Sequence, residues 1–307
     1  MSPDTPRFPR VILATCLVPW REDGTWDEPR LRGCIEDLVT HVTPHLYLFG
    51  TAGEGYAVTD DQFRAVTRCF TTTMASLGAF PMVGVIGTSL GSVQERIAFA
   101  RDLGVTAFQI SFPSWGALLP AEVDAFFAHL CDRFPDVRFL HYNLARAQPV
   151  LTGRDYARLA ARHPNLVAVK MGGESLDTLA DVARAAPALR CFFTEFAYLR
   201  LADTCGCGLL SALSACSPRL PAWIFEAPRE RAPEAEALLR AVHAAVKQAM
   251  EGRTVIDGAY DKLYARLVWP DFSLRLAPPY VGASEAGFQR FRETVSGLLS
   301  DASLSPP

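Results

Sequence analysis

The stretch NLVAVKMGGES contains the residue with the clearest capacity for covalent chemistry, Lys170. An apolar run from Leu166 to Val169 precedes it. Such a run is typical of a strand covered on both faces, where an unpaired ammonium group is costly to bury. The lysine could form an ion pair or extend its charge to water along its flexible stem. Alternatively, burial could lower its pKa so that the free amine attacks a carbonyl group. The segment alone leaves both interpretations open.

Polar side chains lie near the ends of three other apolar runs. Tyr142 is close to the end of VRFLHYN, Thr51 follows LYLFG, and RCFFTEF ends with Thr194 and Glu195 close to its last residue. If these runs are parallel strands of one barrel, their carboxyl ends meet at one mouth. A tyrosine beside a neutral lysine could transfer protons there, as the reaction of an amine with a carbonyl requires.

A glycine-rich turn, FGTAGEG at residues 49–55, follows the second of these runs. Its glycines allow the backbone to approach a ligand closely, and its N–H groups could bind a carboxylate. The Lys-Ser/Thr pair that completes a phosphate-binding loop does not follow it. By itself the pattern does not identify a ligand.

Strand-like and helix-like segments alternate along most of the chain. This alternation predicts successive βα units and a parallel sheet. Eight units favour an α/β fold of the (β/α)8 or TIM barrel type over an open doubly wound sheet, which usually has fewer strands. The predicted strands are residues 11–19, 46–50, 81–87, 107–112, 137–143, 166–172, 190–196 and 208–213.

Three further amphipathic helices are predicted after the eighth strand, in EAEALLRAVHAAVKQAM, DGAYDKLYARLVW and SEAGFQRFRETVSGLLS. The loop between the last two is too short to link independent domains. We therefore expect residues 1–220 to form the barrel core. Residues 221–307 would form the last barrel helix and a C-terminal helical extension of the same domain.

Composition limits the possible partners. The 307 residues are half apolar, and 30 Lys and Arg against 33 Asp and Glu give a formal net charge of -3. This balance does not favour a nucleic-acid or anionic-membrane partner. We find neither a signal peptide nor a membrane-spanning stretch. Eight cysteines without zinc-ligand spacing predict reduced, mostly buried thiols, no metal, and a cytoplasmic location.

Three motifs occur in a distinctive order: GTAGEG after the second predicted strand, Tyr142-Asn143 in the fifth, and VAVK, ending in Lys170, in the sixth. Tyr142 and Lys170 are 28 residues apart. From about residue 11 to about residue 220, the sequence resembles the family of dihydrodipicolinate synthase and N-acetylneuraminate lyase. These are class I aldolase-type enzymes on a (β/α)8 barrel. GCGLLSAL, which includes Leu210, is similar to the family's eighth strand.

The resemblance implies a role for each matching residue. Lys170 would form a Schiff base with the keto group of a 2-oxo acid, usually pyruvate, and Tyr142 would act as general acid and base. Thr51 would hydrogen-bond that tyrosine, and the backbone of Ala52 and Gly53 would hold the carboxylate. The resemblance also implies a homo-oligomer, a dimer or tetramer, and no metal or organic cofactor.

The substrate's distal part would meet residues on other strands. Thr194 and Glu195 fall where family members select this part, and a glutamate suits a hydroxylated or cationic group better than a carboxylate. Leu210 of the eighth strand would also contact substrate. Arg146 could bind a substrate carboxylate or lie in a solvated loop, and the sequence leaves this open.

Three departures argue against dihydrodipicolinate synthase itself. Ala52 replaces a hydroxyl residue that the family often has in its turn. Trp115 follows Pro113-Ser114 where that enzyme has a tyrosine lent by a neighbouring subunit. The arginine that binds the second substrate there would fall at Ala147, one residue after Arg146.

Two neighbours of the motifs are predicted to be structural. Glu54, in the glycine-rich turn, would accept hydrogen bonds from loop amides. His141 precedes Tyr142 and therefore points to the opposite face of the strand, where it would pack between barrel and helix.

The sequence thus predicts a lyase or aldolase that acts on a 2-oxo acid through an imine on Lys170, with an aldehyde as second partner. One alternative is a dehydratase of a 2-keto-3-deoxy sugar acid that uses the same imine. Others are a non-catalytic relative that binds a 2-oxo acid, and an unrelated barrel enzyme with Glu195 as base. The aldehyde and the physiological direction are not predicted.

Overall fold

Eight parallel strands close into a barrel in chain order in the computed structural model, which describes residues 5–253 and 255–301. All eight predicted strands are present, which confirms the (β/α)8 barrel. Their bounds are β1 Ile12–Cys16, β2 His45–Leu48, β3 Phe80–Gly84, β4 Ala107–Ile110, β5 Arg138–Asn143, β6 Leu166–Met171, β7 Arg190–Phe193 and β8 Gly208–Ser211.

A helix follows each of the first seven strands directly. Most of these helices begin at a Ser, Thr or Asp whose side chain accepts a hydrogen bond from the first turn, as at Thr59 and Thr152. The bounds are α1 Glu28–His41, α2 Asp60–Ser76, α3 Leu90–Asp102, α4 Pro120–Cys131, α5 Gly153–Arg162, α6 Leu176–Ala185 and α7 Glu195–Cys205.

All eight strands are shorter than predicted, and in the seventh the difference involves two predicted site residues. This strand ends at Phe193, because Thr194 is the N-cap of α7 and Glu195 is that helix's first residue. The prediction of strand through residue 196 was therefore wrong at its carboxyl end. Thr194 and Glu195 still lie at the mouth, which we define as the barrel end formed by the carboxyl ends of the strands.

Within the described residues, four more α-helices follow β8, namely α8 Leu220–Glu226, α9 Pro228–Ala249, α10 Asp257–Val268 and α11 Glu285–Asp301. The helices α9 and α11 pack against each other, and α9 also packs against α7. At the start of α10, a Cβ on Gly258 would lie 3.1 Å from the carbonyl oxygen of Ala52. The helical extension therefore reaches the glycine-rich turn. The division of the chain after residue 220 remains our proposal, and residues 1–4 of its first part and residues 254 and 302–307 of its second part lie outside the described residues.

The barrel interior is mostly apolar away from the mouth. Phe192 packs there edge-to-face with Phe8, which precedes β1. Other members of this inner cluster are Leu13, Met82, Ala107, Leu140, Ala168 and Leu210. All eight cysteines are free and seven of them are buried, as predicted. None of the helices in the described part of the chain is long and apolar enough to cross a membrane.

A buried ion pair fastens the glycine-rich turn to the extension. The Glu54 carboxylate lies 2.6 Å from Lys262 Nζ of α10, and both side chains are fully buried. Glu54 also accepts hydrogen bonds from Trp20 Nε1 and from the amide of Ala277. These contacts hold Glu54 in a left-handed conformation, at φ 59°, that is unfavourable for a residue with a side chain. The predicted structural role of Glu54 is confirmed.

Replacing Lys262 with Met will lower the free energy of unfolding by about 3 kcal/mol or more, because the Glu54 carboxylate would remain buried without its partner. Denaturant unfolding measures the loss. The matched control is Arg290→Met, which removes the cation of an exposed pair with Glu251. Its effect should be much smaller. Equal losses in the two variants would contradict this account of the turn.

Candidate active site

Lys170 lies on β6 with its side chain inside the mouth and only 7% exposed. Its Nζ is 3.4 Å from the hydroxyl oxygen of Tyr47 on β2. The same nitrogen lies 3.7 Å from the ring centroid of Tyr142 on β5. Two tyrosines thus enclose the amine, and its stem does not carry the charge to water.

The surroundings of Lys170 favour the neutral amine. Burial lowers its pKa to about 7, while the carboxylates of Asp257 and Asp261 act in the opposite direction and Arg146 adds to the lowering. A substantial fraction of the amine is therefore unprotonated at neutral pH. An unprotonated amine is the form that attacks a carbonyl carbon.

Tyr142 and Lys170 are direct neighbours because they are register partners on adjacent parallel strands. Burial raises the pKa of Tyr142 to about 12, with a further rise from Asp257, while a hydrogen bond with Thr51 and the charge of Arg146 lower it. The phenol is consequently protonated at neutral pH. It can give a proton to a group that reacts at Lys170 Nζ.

The glycine-rich turn brings backbone donors to the same end of the barrel. A Cβ on Gly53 would lie 2.8 Å from the amide nitrogen of Phe49 and 3.0 Å from the carbonyl oxygen of Cys16, so only glycine fits there. Within the described residues, the amides of Ala52 and Gly53 donate no hydrogen bond. Two free N–H groups in one turn suit an anionic ligand.

A cleft of about 510 Å³ opens above Tyr142. Arg146 lines it with a half-exposed side chain, 3.9 Å from Asp257 Oδ2. Arg96 also lines it, but its guanidinium is already bonded to Asp60 and to the carbonyl oxygens of Ile86 and Gly55. Lys170 is not among the residues that line this cleft, although its neighbour Tyr142 is. Hydroxyl groups dominate the polar lining, from Thr51, Tyr56, Thr59, Thr88, Ser89, Ser92, Ser111, Ser114, Tyr142 and Tyr280.

Of the six predicted substrate contacts, Arg146 is part of this lining, and Ala52, Gly53, Thr194, Glu195 and Leu210 are not. Glu195 is 6% exposed, and its Oε1 accepts hydrogen bonds from Ser211 Oγ and from the amides of Ala212 and Leu213. It therefore ties α7 to the segment after β8. Thr194 caps α7, and Leu210 belongs to the inner apolar cluster. A role for these five residues in substrate binding stays a prediction.

Sequence reasoning missed four polar residues near Lys170. Tyr47 and Gln109 lie inside the barrel on β2 and β4, and the alternation of side chains along a strand was the available signal. Asp257 and Asp261 are four residues apart on α10, a spacing that puts them on one face of the helix. Burial raises the pKa of Asp261 well above its usual range. Nothing in the sequence indicated that α10 reaches the barrel mouth.

His141 lies on the outer face of β5, as predicted, with Nδ1 2.7 Å from the hydroxyl of Tyr156. Its ring packs against Phe112 and Phe127, and burial lowers its pKa to about 3. Within residues 5–253 and 255–301, no group of three or more His, Cys, Asp or Glu side chains is arranged to hold a metal ion.

Comparison with known sequences matches the family resemblance. The model of the family described as "Dihydrodipicolinate synthetase family" covers residues 8–256. Among curated relatives, 4-hydroxy-tetrahydrodipicolinate synthase from Aromatoleum aromaticum is 26% identical over 176 residues. These residues are 57% of this chain and 59% of that relative, so the match spans less than two thirds of the relative's length.

Solved structures share the whole fold at lower identity. YagE, a prophage protein of the dihydrodipicolinic acid synthase family from E. coli K12, was solved in complex with pyruvate and is 18% identical. It superimposes with a TM-score of 0.85 over 94% of this chain and 98% of its own. CdNal from Clostridium difficile, solved in complex with mannosamine, is 15% identical, with a TM-score of 0.83 over 95% and 99% of the two chains. With most of its length matched by the family model, the chain belongs to the dihydrodipicolinate synthetase family.

Proposed function

We propose that the protein is a lyase of the class I aldolase type that acts on a 2-oxo acid through a Schiff base on Lys170. The observation that carries the proposal is the burial of the Lys170 amine against Tyr142, with a pKa near 7, at the mouth of a (β/α)8 barrel. Family membership and the pyruvate bound to the E. coli neighbour support a 2-oxo acid as substrate.

The reaction begins with attack of the neutral amine on the keto carbon. The carbinolamine that forms loses its hydroxyl as water, and Tyr142 supplies the proton that this departure needs. The product is a protonated imine, which accepts the electron pair released when the bond between the carbon next to the imine and the following, hydroxyl-bearing carbon breaks. The Tyr142 phenolate left by the previous step takes the proton of that hydroxyl, so that an aldehyde and an enamine form. Thr51 positions the hydroxyl of Tyr142 by the hydrogen bond between them.

Two further sets of groups bind the two ends of the substrate. The free amides of Ala52 and Gly53 bind the 2-oxo acid carboxylate near Lys170. Arg146 and the hydroxyl groups of the cleft face the distal part, where the aldehyde forms or enters. A hydroxylated distal part of the substrate would form hydrogen bonds with this lining.

We further propose a homo-oligomer, a dimer or tetramer, in the cytoplasm. Trp115 is 92% exposed next to the mouth and Leu119 is 66% exposed in the same loop, an apolar surface that a second copy would cover. Eight free thiols support a reducing compartment. Light scattering on the purified protein measures the oligomeric state.

Borohydride added to the protein with pyruvate should reduce the imine to a stable adduct on Lys170. Peptide mapping can identify the labelled residue because the chain has three lysines, Lys170, Lys247 and Lys262. Lys247 is exposed, so an adduct on it would indicate unselective labelling. Lys262 is buried in its ion pair, so an adduct on it would indicate that burial alone is enough for labelling. Lys170→Ala should carry no adduct. Absence of a Lys170 adduct with pyruvate and longer 2-oxo acids, or lyase activity that survives Lys170→Ala, would overturn the proposal.

Adduct formation should increase with pH and reach half its maximum near pH 7, because the protonated amine cannot attack. Removing the negative charge of Asp257 with Asp257→Asn should lower the pKa of Lys170 and move this midpoint to lower pH. Arg146→Gln, which removes a positive charge, should move it to higher pH. Rates of adduct formation across a pH series measure both shifts. Shifts of the same sign in the two variants would rule out this electrostatic account.

Tyr142→Phe should slow adduct formation about 100-fold, a typical loss when a general acid is removed. The control is Tyr156→Phe, which removes the hydroxyl that bonds His141 on the outer face of the same strand. That variant should react at the wild-type rate. Borohydride trapping at a series of reaction times measures the rate of adduct formation in both variants. An unchanged rate in Tyr142→Phe would remove Tyr142 from the mechanism.

Product analysis with 2-keto-3-deoxy sugar acids separates the two outcomes of the imine. A lyase yields pyruvate and a shorter aldehyde, whereas a dehydratase yields a product that keeps every carbon atom. Recovery of the dehydrated acid alone would replace the carbon–carbon lyase with the dehydratase.

A further inference from the structure

The floor of the site, directly beneath Lys170, is polar although the barrel around it is apolar. Tyr47 on β2 donates a hydrogen bond to Gln109 Oε1 on β4, and both side chains are at most 1% exposed. Tyr47 belongs to the same inner cluster as Met82 and Leu140. A tyrosine hydroxyl and a glutamine amide are costly to bury in such surroundings unless every polar atom is hydrogen-bonded.

The Tyr47 hydroxyl is directed by this bond. Because its proton goes to Gln109, its lone pairs face Lys170 Nζ at 3.4 Å and accept an N–H of the amine. The lone pair of a neutral amine then points away from Tyr47. The hydrogen bond to Tyr47 thus orients the nucleophilic nitrogen of Lys170.

The glycine-rich turn makes room for this arrangement. A Cβ on Gly50 would lie 1.8 Å from the Tyr47 hydroxyl oxygen, so the hydroxyl fits only because residue 50 is glycine. Burial also raises the pKa of Tyr47 well above its usual range. The phenol therefore stays uncharged and does not hold Lys170 as an ammonium ion.

We propose that Tyr47 is a further catalytic residue, which holds the Lys170 amine with its lone pair towards the substrate, and that Gln109 is the positioning residue that orients Tyr47. The inference rests on the proposed Schiff-base function. It adds a second tyrosine, on the opposite side of the amine from the substrate, to the role assigned to Tyr142.

Stability alone does not account for the pair. Gln109 Nε2 is buried, and none of the described residues accepts a hydrogen bond from it. An unsatisfied buried donor destabilises the folded state. An apolar pair of similar size would remove that cost, so we expect the polar pair to be retained for the reaction.

The test compares Tyr47→Phe and Gln109→Leu with the wild type. Borohydride trapping at saturating pyruvate gives the rate of adduct formation, and the pyruvate concentration for half-maximal rate reports binding. Tyr47→Phe should lower the saturated rate at least tenfold, Gln109→Leu should lower it less, and the half-maximal concentration should change little. The thermal midpoint of the double variant Tyr47→Phe/Gln109→Leu, in which both polar partners are removed together, should be equal to or above that of the wild type.

Tyr198→Phe is the matched control. Tyr198 is also fully buried, and its hydroxyl bonds to the carbonyl oxygen of Phe225, away from Lys170. It should react at the wild-type rate. A wild-type saturated rate in both Tyr47→Phe and Gln109→Leu would overturn the inference and leave the proposed function intact. Failure of the wild-type protein itself to form an adduct on Lys170 would instead overturn the proposed function, and the inference with it.

Discussion

The amine of Lys170 has almost no access to water, and the groups that touch it are two uncharged phenols. A full charge in such a place is unfavourable, so burial lowers the pKa of the lysine to about 7. The acidic residues Asp257 and Asp261 act on it by their charge but make no ion pair with it among the described residues. The site therefore supplies a free amine at neutral pH.

Keeping the amine in this position requires parts of the chain that are distant in sequence. The strands β2, β5 and β6 deliver Tyr47, Tyr142 and Lys170, and the glycine-rich turn gives space to the first of these. The helix α10 holds the glycine-rich turn in place through the buried ion pair of Glu54 and Lys262. The helical extension is thus part of the site, because it fastens the turn and carries the carboxylates that act on Lys170.

The sequence was sufficient for the barrel and for the three motifs that meet at its mouth. Regular alternation of strands and helices is a local signal that repeats eight times, and a lysine at the end of an apolar strand is conspicuous. Tyr47 was not found because a tyrosine in a strand is ordinary until its distance to Lys170 is known. The position of α10 over the turn depends on long-range packing, which periodicity does not report. Glu195 shows the same limit, since only the fold reveals that its carboxylate is occupied by Ser211 and two amides.

A crystal structure of the protein soaked with pyruvate tests the central claim most directly, because it locates both the covalent bond and the carboxylate. We expect continuous electron density from Lys170 Nζ to the keto carbon, with the carboxylate on the amides of Ala52 and Gly53 and the Tyr142 hydroxyl beside the new bond. Pyruvate bound in the cleft without a bond to Lys170, or bound elsewhere with Lys170 unchanged, would contradict the account.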